Sequence, residues 1–284
     1  MFISADSIEL VRPDFARGKF RAVLFDFDGT LSLVRRNWQN VMIPMMVDVL
    51  AATGTAEPSA ELHAHVEEFV MRLNGKQTIY QMMQLVEEVK LRGGEPRTPL
   101  EYKHQYHDLL WAQISHRVSG LKDGTIDPEE LTVPGAHRLL DRLSRLGVTL
   151  WLASGTDLKY VEDELRALRL DGYFGPRVYG ALDNHRDFSK ALIIERMIHE
   201  MGVAGDELLA FGDGFVEIEE TRRVGGVAIG VASEEETRSG VNAWKRQRLL
   251  RAGADVIIGD YRCQEELLGV LGLGLEGGRM KDEG

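Results

Sequence analysis

Ala22-Val23-Leu24-Phe25-Asp26-Phe27-Asp28-Gly29-Thr30 decides how the rest of the chain is read. Four apolar residues run straight into two carboxylates and a glycine. A short apolar run with no polar face reads as a strand buried on both sides, as in a parallel sheet. Open α/β sheets bind ligands just past the carboxyl ends of such strands. Asp26 and Asp28 flank a single residue, so in an extended chain their side chains leave on the same side. Two close carboxylates repel and need a proton or a cation between them. Mg²⁺, which takes hard oxygen ligands, suits that need. Calcium loops also open on alternating acids and a glycine, but the ligands an EF-hand requires after Gly29 are missing.

Further apolar runs follow at Val148-Thr149-Leu150-Trp151-Leu152, Leu208-Leu209-Ala210-Phe211, Val227-Ala228-Ile229-Gly230-Val231 and Ala254-Asp255-Val256-Ile257-Ile258. Helical spacing of apolar residues fills most of the intervals, over Arg138 to Leu146, Leu158 to Leu168, Phe188 to Met201 and Asn242 to Leu250. Strand and helix in alternation predict an α/β fold, a Rossmann-like and mostly parallel sheet with helices on both faces. Residues 34–126 break the rhythm. They predict helices over Trp38 to Ala51, Ser59 to Leu73, Thr78 to Leu91 and Pro99 to Val118, with turns at Thr53-Gly54, Asn74-Gly75 and Gly93-Gly94-Glu95-Pro96. We therefore expect a core domain from residues 1–33 and 127–284, with an all-helical domain inserted over 34–126. Residues 1–19 and the stretch Gly269 to Gly278 carry no such pattern.

At 284 residues and 44% apolar composition the chain can bury a sizeable core. A formal charge of -11 argues against nucleic acid or an anionic membrane as partner. An anionic substrate stays possible, because a metal or lysine can reverse the sign inside one pocket. Cys263 is the single cysteine, so neither an intramolecular disulfide nor a cysteine-based zinc site is available. Met1 to Asp6 lacks a basic start and apolar run, and no apolar stretch approaches the ~18 residues of a membrane span. The expectation is a soluble, cytoplasmic protein. Oligomeric state is not legible.

Three more short motifs lie at the ends of predicted strands or the start of a helix. Ala153-Ser154-Gly155-Thr156 offers a hydroxyl and amides near a helix start, suited to a phosphate oxygen and equally to an ordinary helix cap. Lys190 opens an apolar helix, where a lone lysine is commonly just solvated. Phe211-Gly212-Asp213-Gly214-Phe215-Val216-Glu217 places two acids after a strand, which also makes a favourable acidic helix start. Each is weak alone. In this order, the four resemble the signature motifs of the haloacid dehalogenase superfamily. Segment 34–126 occupies the place of its C1-type cap, in the branch of phosphoglycolate phosphatases and β-phosphoglucomutases.

That resemblance implies a chemistry. Asp26 would be the nucleophile that takes up the phosphoryl group and Asp28 the general acid and base. Mg²⁺ would be held by Asp26, by the main-chain carbonyl of Asp28 and by Asp213, with Glu217 supporting it directly or through water. Ser154, Gly155 and Lys190 would hold phosphoryl oxygens. The expected function is hydrolysis of a small phosphorylated metabolite such as a sugar phosphate, nucleotide or phosphoglycolate. Alternatives are a phosphomutase and a non-catalytic binding module. A phosphonate-cleaving enzyme would need a lysine near the cap-loop glycine, where Arg72 stands. Two departures from the branch are Glu217, where Asp is frequent, and Gly214, where Ser is common.

Within the cap, Arg72-Leu73-Asn74-Gly75-Lys76-Gln77-Thr78-Ile79 resembles the loop that drops polar side chains over the site. Lys76 and Gln77 are therefore expected to read the leaving group, with Arg35, Arg36 and Trp38 as weaker candidates. The pairs His63/His65 and His104/His107 are expected to be exposed helix residues rather than metal ligands. Trp244-Lys245-Arg246-Gln247-Arg248 reads as a solvated basic helix face. Gly272-Leu273-Gly274 follows a helix and is no dinucleotide loop.

Overall fold

The strands are β1 (Ile8–Leu10), β2 (Ala22–Phe25), β3 (Thr149–Asp157), β4 (Val178–Ala181), β5 (Leu208–Gly212), β6 (Val227–Val231) and β7 (Val256–Ile258). In this computed structural model, which describes residues 8–182 and 184–274, they form one sheet in the order β1-β7-β6-β5-β2-β3-β4. Every pairing is parallel except β1 with β7. The helices are α1 (Gln39–Ala51), α2 (Ser59–Leu73), α3 (Thr78–Leu91), α4 (Pro99–Asp123), α5 (Ala136–Arg145), α6 (Leu158–Ala167), α7 (Asp171–Phe174), α8 (Lys190–Met201), α9 (Phe215–Arg223), α10 (Ala243–Ala252) and α11 (Gln264–Val270).

The fold is thus the expected α/β sheet with a helical insertion, all of α1 to α4 lying between β2 and β3. All five expected strands form. Two short ones, β1 and β4, carry no long apolar run and sit at the two edges of the sheet. The helix expected to end at Val118 runs on to Asp123 and stops at Gly124, which takes a left-handed conformation. It starts at a capping box in which Thr98 and Glu101 satisfy each other's backbone amides. Residues 1–7 and 275–278, read above for a leader and a glycine-rich tail, lie outside the described residues. No helix among the described residues is long and apolar enough to cross a membrane.

β2 is the strand from which the order runs outward in both directions, with β3 on one side and β5 on the other. Such a switch point opens a crevice at the carboxyl ends. Register brings the motifs together there. Phe25 lies opposite Leu152 of β3 and Phe211 of β5, so the residues that follow each strand converge. Phe25 and Phe211 stack at 4.8 Å beneath them, and the Asp26 amide donates to the Phe211 carbonyl at 2.9 Å. The chain leaves for the helices and returns through two paired linkers. Leu33 N–H donates to Leu131 and Val133 N–H to Leu31.

Candidate active site

Asp26 is 6% exposed, at the tip of β2. The Lys190 ammonium lies 2.9 Å from its Oδ1 and 2.6 Å from Glu217 Oε2. Lys190 reaches them because it is the first residue of α8, whose start is fixed by Ser189 capping the Leu192 amide. Glu217 is fully buried, and its other oxygen accepts from the Gly214 amide at 2.8 Å. Asp213 is held by its own amide, which donates to Thr30 Oγ1 at 2.9 Å. One carboxylate oxygen each from Asp26, Asp213 and Glu217 lies within 4.8 Å of the others.

Burial pushes the Asp26 carboxyl well above its ordinary range; Lys190 opposes this, while Glu217 and Asp213 push the same way. Burial works against the Lys190 charge, yet Asp26 and Glu217 outweigh it and raise the lysine. The buried carboxylates outnumber the ammoniums set among them, and the excess negative charge favours any cation that enters.

Asp28 has different surroundings. Its Oδ2 accepts from Thr156 Oγ1 at 2.8 Å and from Ser154 Oγ at 3.3 Å. Its Oδ1 is buried without a hydrogen-bond partner, 3.8 Å from Arg35 Nε. Arg35 is itself engaged by Glu164 of α6 through Nε at 2.9 Å and Nη2 at 2.6 Å. Ser154, Gly155 and Thr156 stand where the β3–β4 ladder shifts register, which frees them from regular pairing. Thr156 was not among the expected site residues. Its only sequence signal was a second hydroxyl beside Ser154.

The cleft over these groups encloses about 730 Å³, part of it open to solvent. From the helical side it is lined by Arg36, Trp38, Asn74, Gly75, Lys76 and Tyr106, among others. Lys76 is exposed at its rim. Gln77 departs from expectation: its amide nitrogen donates to the carbonyls of His185 and Phe188 at 3.0 and 2.8 Å, so it fastens the cap loop to the core. The loop comes in by backbone contact. A Cβ on Gly155 would stand 2.7 Å from the Lys76 carbonyl, and one on Gly214 3.0 Å from Gly75 Cα. Gly214, which replaces the family's common serine, makes room for that approach.

The basic run on α10 is a second correction. Lys245 is buried, 2.9 Å from Asp213 Oδ2 and 2.6 Å from Glu235 Oε1. Arg246 pairs with Glu9. Arg248 donates to the carbonyls of Met71, Arg72 and Asn74, at the end of α2 and into the cap loop. These side chains are therefore spent on partners rather than solvated. The histidines do not converge: among the described residues, Asp26, Asp213 and Glu217 form the one such cluster of potential ligands. His107 is half-buried against Tyr160 at 3.7 Å, not exposed as expected, and burial brings it down to about 4.

Comparison with known proteins agrees with this fold. No curated protein matches the chain in sequence. Among solved structures, a protein described as a predicted phosphoglycolate phosphatase from Haemophilus somnus 129pt superposes with a TM-score of 0.58 at 16% identity, covering 89% of this chain and 99% of that one. A predicted phosphatase from Clostridium acetobutylicum gives 0.56 at 17% identity, covering 89% and 100%. A conserved haloacid dehalogenase-like protein of unknown function from Agrobacterium tumefaciens gives 0.55 at 19%, covering 88% and 98%. At these identities the likeness shows the fold. The family follows from the sequence itself: residues 20–225 match the model of haloacid dehalogenase-like hydrolases, and the chain belongs to that family.

Proposed function

We propose that the protein is a Mg²⁺-dependent phosphatase that hydrolyses a small phosphomonoester through a phosphorylated Asp26. The observation that carries this reading is the pairing of two unlike carboxylates at one strand tip. Asp26 is fixed inside a cluster of acids, paired with Lys190, and Asp28 is held by hydroxyls beside an open cleft.

The residues fit a divalent cation. Three carboxylates within reach of one another are hard oxygen donors in excess of the two lysines they contact. Lys190 and Lys245 contact one oxygen each of Asp26 and Asp213, and a carboxylate has lone pairs enough to accept a further partner. Asp26, the Asp28 carbonyl and Asp213 would hold the ion. Glu217, whose oxygens are committed to Lys190 and the Gly214 amide, would support it less directly. A bound Mg²⁺ supplies positive charge to an anionic phosphoryl group.

Asp26 attacks phosphorus, and the bond to the leaving oxygen breaks as Asp28 delivers a proton to it. Asp28, now ionised, takes a proton from a water whose oxygen attacks phosphorus; the bond from phosphorus to the Asp26 carboxylate breaks, releasing phosphate and the free carboxylate. Lys190 stays with the nucleophile and the phosphoryl oxygens. One close opposite charge at intermediate dielectric contributes about 4 kcal/mol, which is why an anionic nucleophile can approach an anionic ester here. Ser154 lies beside Asp28 and Gly155 lines the same cleft, where a phosphoryl oxygen would rest. Lys76 stands at the rim, where the leaving group would be read.

The test is phosphate release from a panel of phosphorylated metabolites with and without Mg²⁺, using Asp26→Asn as control. Release that needs both the ion and Asp26 supports the reading. No release from any ester, with no phosphoryl group retained on the protein, would sink it.

A further inference from the structure

Lys245 belongs to none of the four motifs, yet it is buried, 8% exposed against 4% for Lys190. It enters from α10, whose first turn is fixed by Asn242 accepting from the Lys245 amide at 3.0 Å. Its ammonium contacts Asp213 Oδ2 at 2.9 Å, Glu235 Oε1 at 2.6 Å and Ser233 Oγ at 3.0 Å. Ser233 in turn donates to the Gly29 carbonyl at 2.6 Å. Gly29 explains how the two ends meet: a Cβ there would collide with the Asp213 carboxylate and come within 3.0 Å of the Lys245 nitrogen.

The charges follow a simple pattern. Lys190 bridges Asp26 and Glu217, and Lys245 bridges Asp213 and Glu235. Four carboxylates less two ammoniums leave two negative charges, which one divalent cation matches. Asp28 contacts neither lysine and is held apart by two hydroxyls and by Arg35, which it shares with Glu164. Without Lys245, Asp213 and Glu235 would be two bare acids that had shared one cation at hydrogen-bond distance. Burial already raises the Glu235 carboxyl against the pull of Lys245, with Asp213 adding to the rise.

We propose that Lys245 is a tethered cation, a positioning residue that fills the place between Asp213 and Glu235 and limits the acidic cluster to one divalent ion. The inference rests on the metal-dependent reading above. A lysine that merely braced Asp213 would behave differently. Its loss would misplace a ligand and weaken metal binding, whereas loss of a tethered cation strengthens it.

Calorimetric titration of the full chain with Mg²⁺, and with Mn²⁺, separates the two. Wild type is expected to take up one ion. Lys245→Met, which keeps the length and removes the charge, is expected to bind about tenfold more tightly or to accept a second ion. Glu235→Gln is expected to move the other way, binding about tenfold more weakly, because it leaves the ammonium in excess. Thermal melting of each variant checks that it is folded, and Glu235→Gln carries the test if Lys245→Met is not. Wild type binding one ion, with Lys245→Met unchanged or weaker, overturns the inference and leaves the phosphatase reading intact. So does an unchanged Glu235→Gln. Uptake of no ion by wild type and by both variants overturns both.

Discussion

Asp26 and Asp28 leave the same strand tip and enter opposite surroundings. The Asp26 side chain is 8% exposed and the Asp28 side chain 27%. Partners of Asp26 all come from the sheet end: Lys190 at the head of α8, with Glu217 of α9 and Asp213 after β5 close by. Those of Asp28 come from Thr156 and Ser154 in the irregular end of β3 and from Arg35 in the linker to the helices. The first setting fixes a charge in place. The second leaves a carboxyl oxygen without a hydrogen bond, next to a cleft that water can enter. A nucleophile needs the first and a group that trades protons needs the second.

Substitutions can break or sharpen this contrast. Asp26→Asn should lower kcat by about 10⁴-fold or more, since no other carboxylate can take its place. The same variant should melt at or above the wild-type temperature in metal-free buffer, because a neutral amide relieves the excess charge. A clear fall in melting temperature would undo the account of the cluster. Asp28→Asn should cost about 10²–10⁴-fold on alkyl phosphates and much less on aryl phosphates, whose leaving groups need no proton. Equal losses on both would remove the proton-donor role. Thr156→Val deletes one hydrogen bond to Asp28 and should lower kcat about tenfold with KM little changed. An unaltered kcat would mean that Arg35 and Ser154 suffice to aim Asp28. Arg248→Ala frees the carbonyls at the end of α2 and should raise KM about threefold while sparing kcat, an effect of about 0.7 kcal/mol. A drop in kcat alone would place Arg248 closer to the chemistry than its contacts suggest.

What could be read beforehand follows the reach of each interaction. Strand ends with acids past them are local patterns, so the sheet, the helical insertion and the Asp26, Asp28, Ser154, Lys190, Asp213 and Glu217 positions were legible in short strings. β1 and β4 were not, because three or four residues at a sheet edge carry too little apolar signal. Long side chains were the other failure. Lys245 and Arg248 sit in a string that reads as surface and Gln77 in one that reads as facing the substrate, and their partners lie far along the chain, such as the His185 and Phe188 carbonyls that accept from Gln77. Only packing says which way α10 turns. Gly214 was visible as a departure from the family, but its reason, the close approach of Gly75, required the fold.

The loop over the cleft is seated almost entirely by main-chain atoms. Gly155 and Gly214 meet backbone, and Arg248 grips carbonyl oxygens that any residue would offer. Apart from Gln77, the side chains at Asn74 and Lys76 are not what holds it down. Substitution at either of those two positions should therefore leave the loop seated over the cleft.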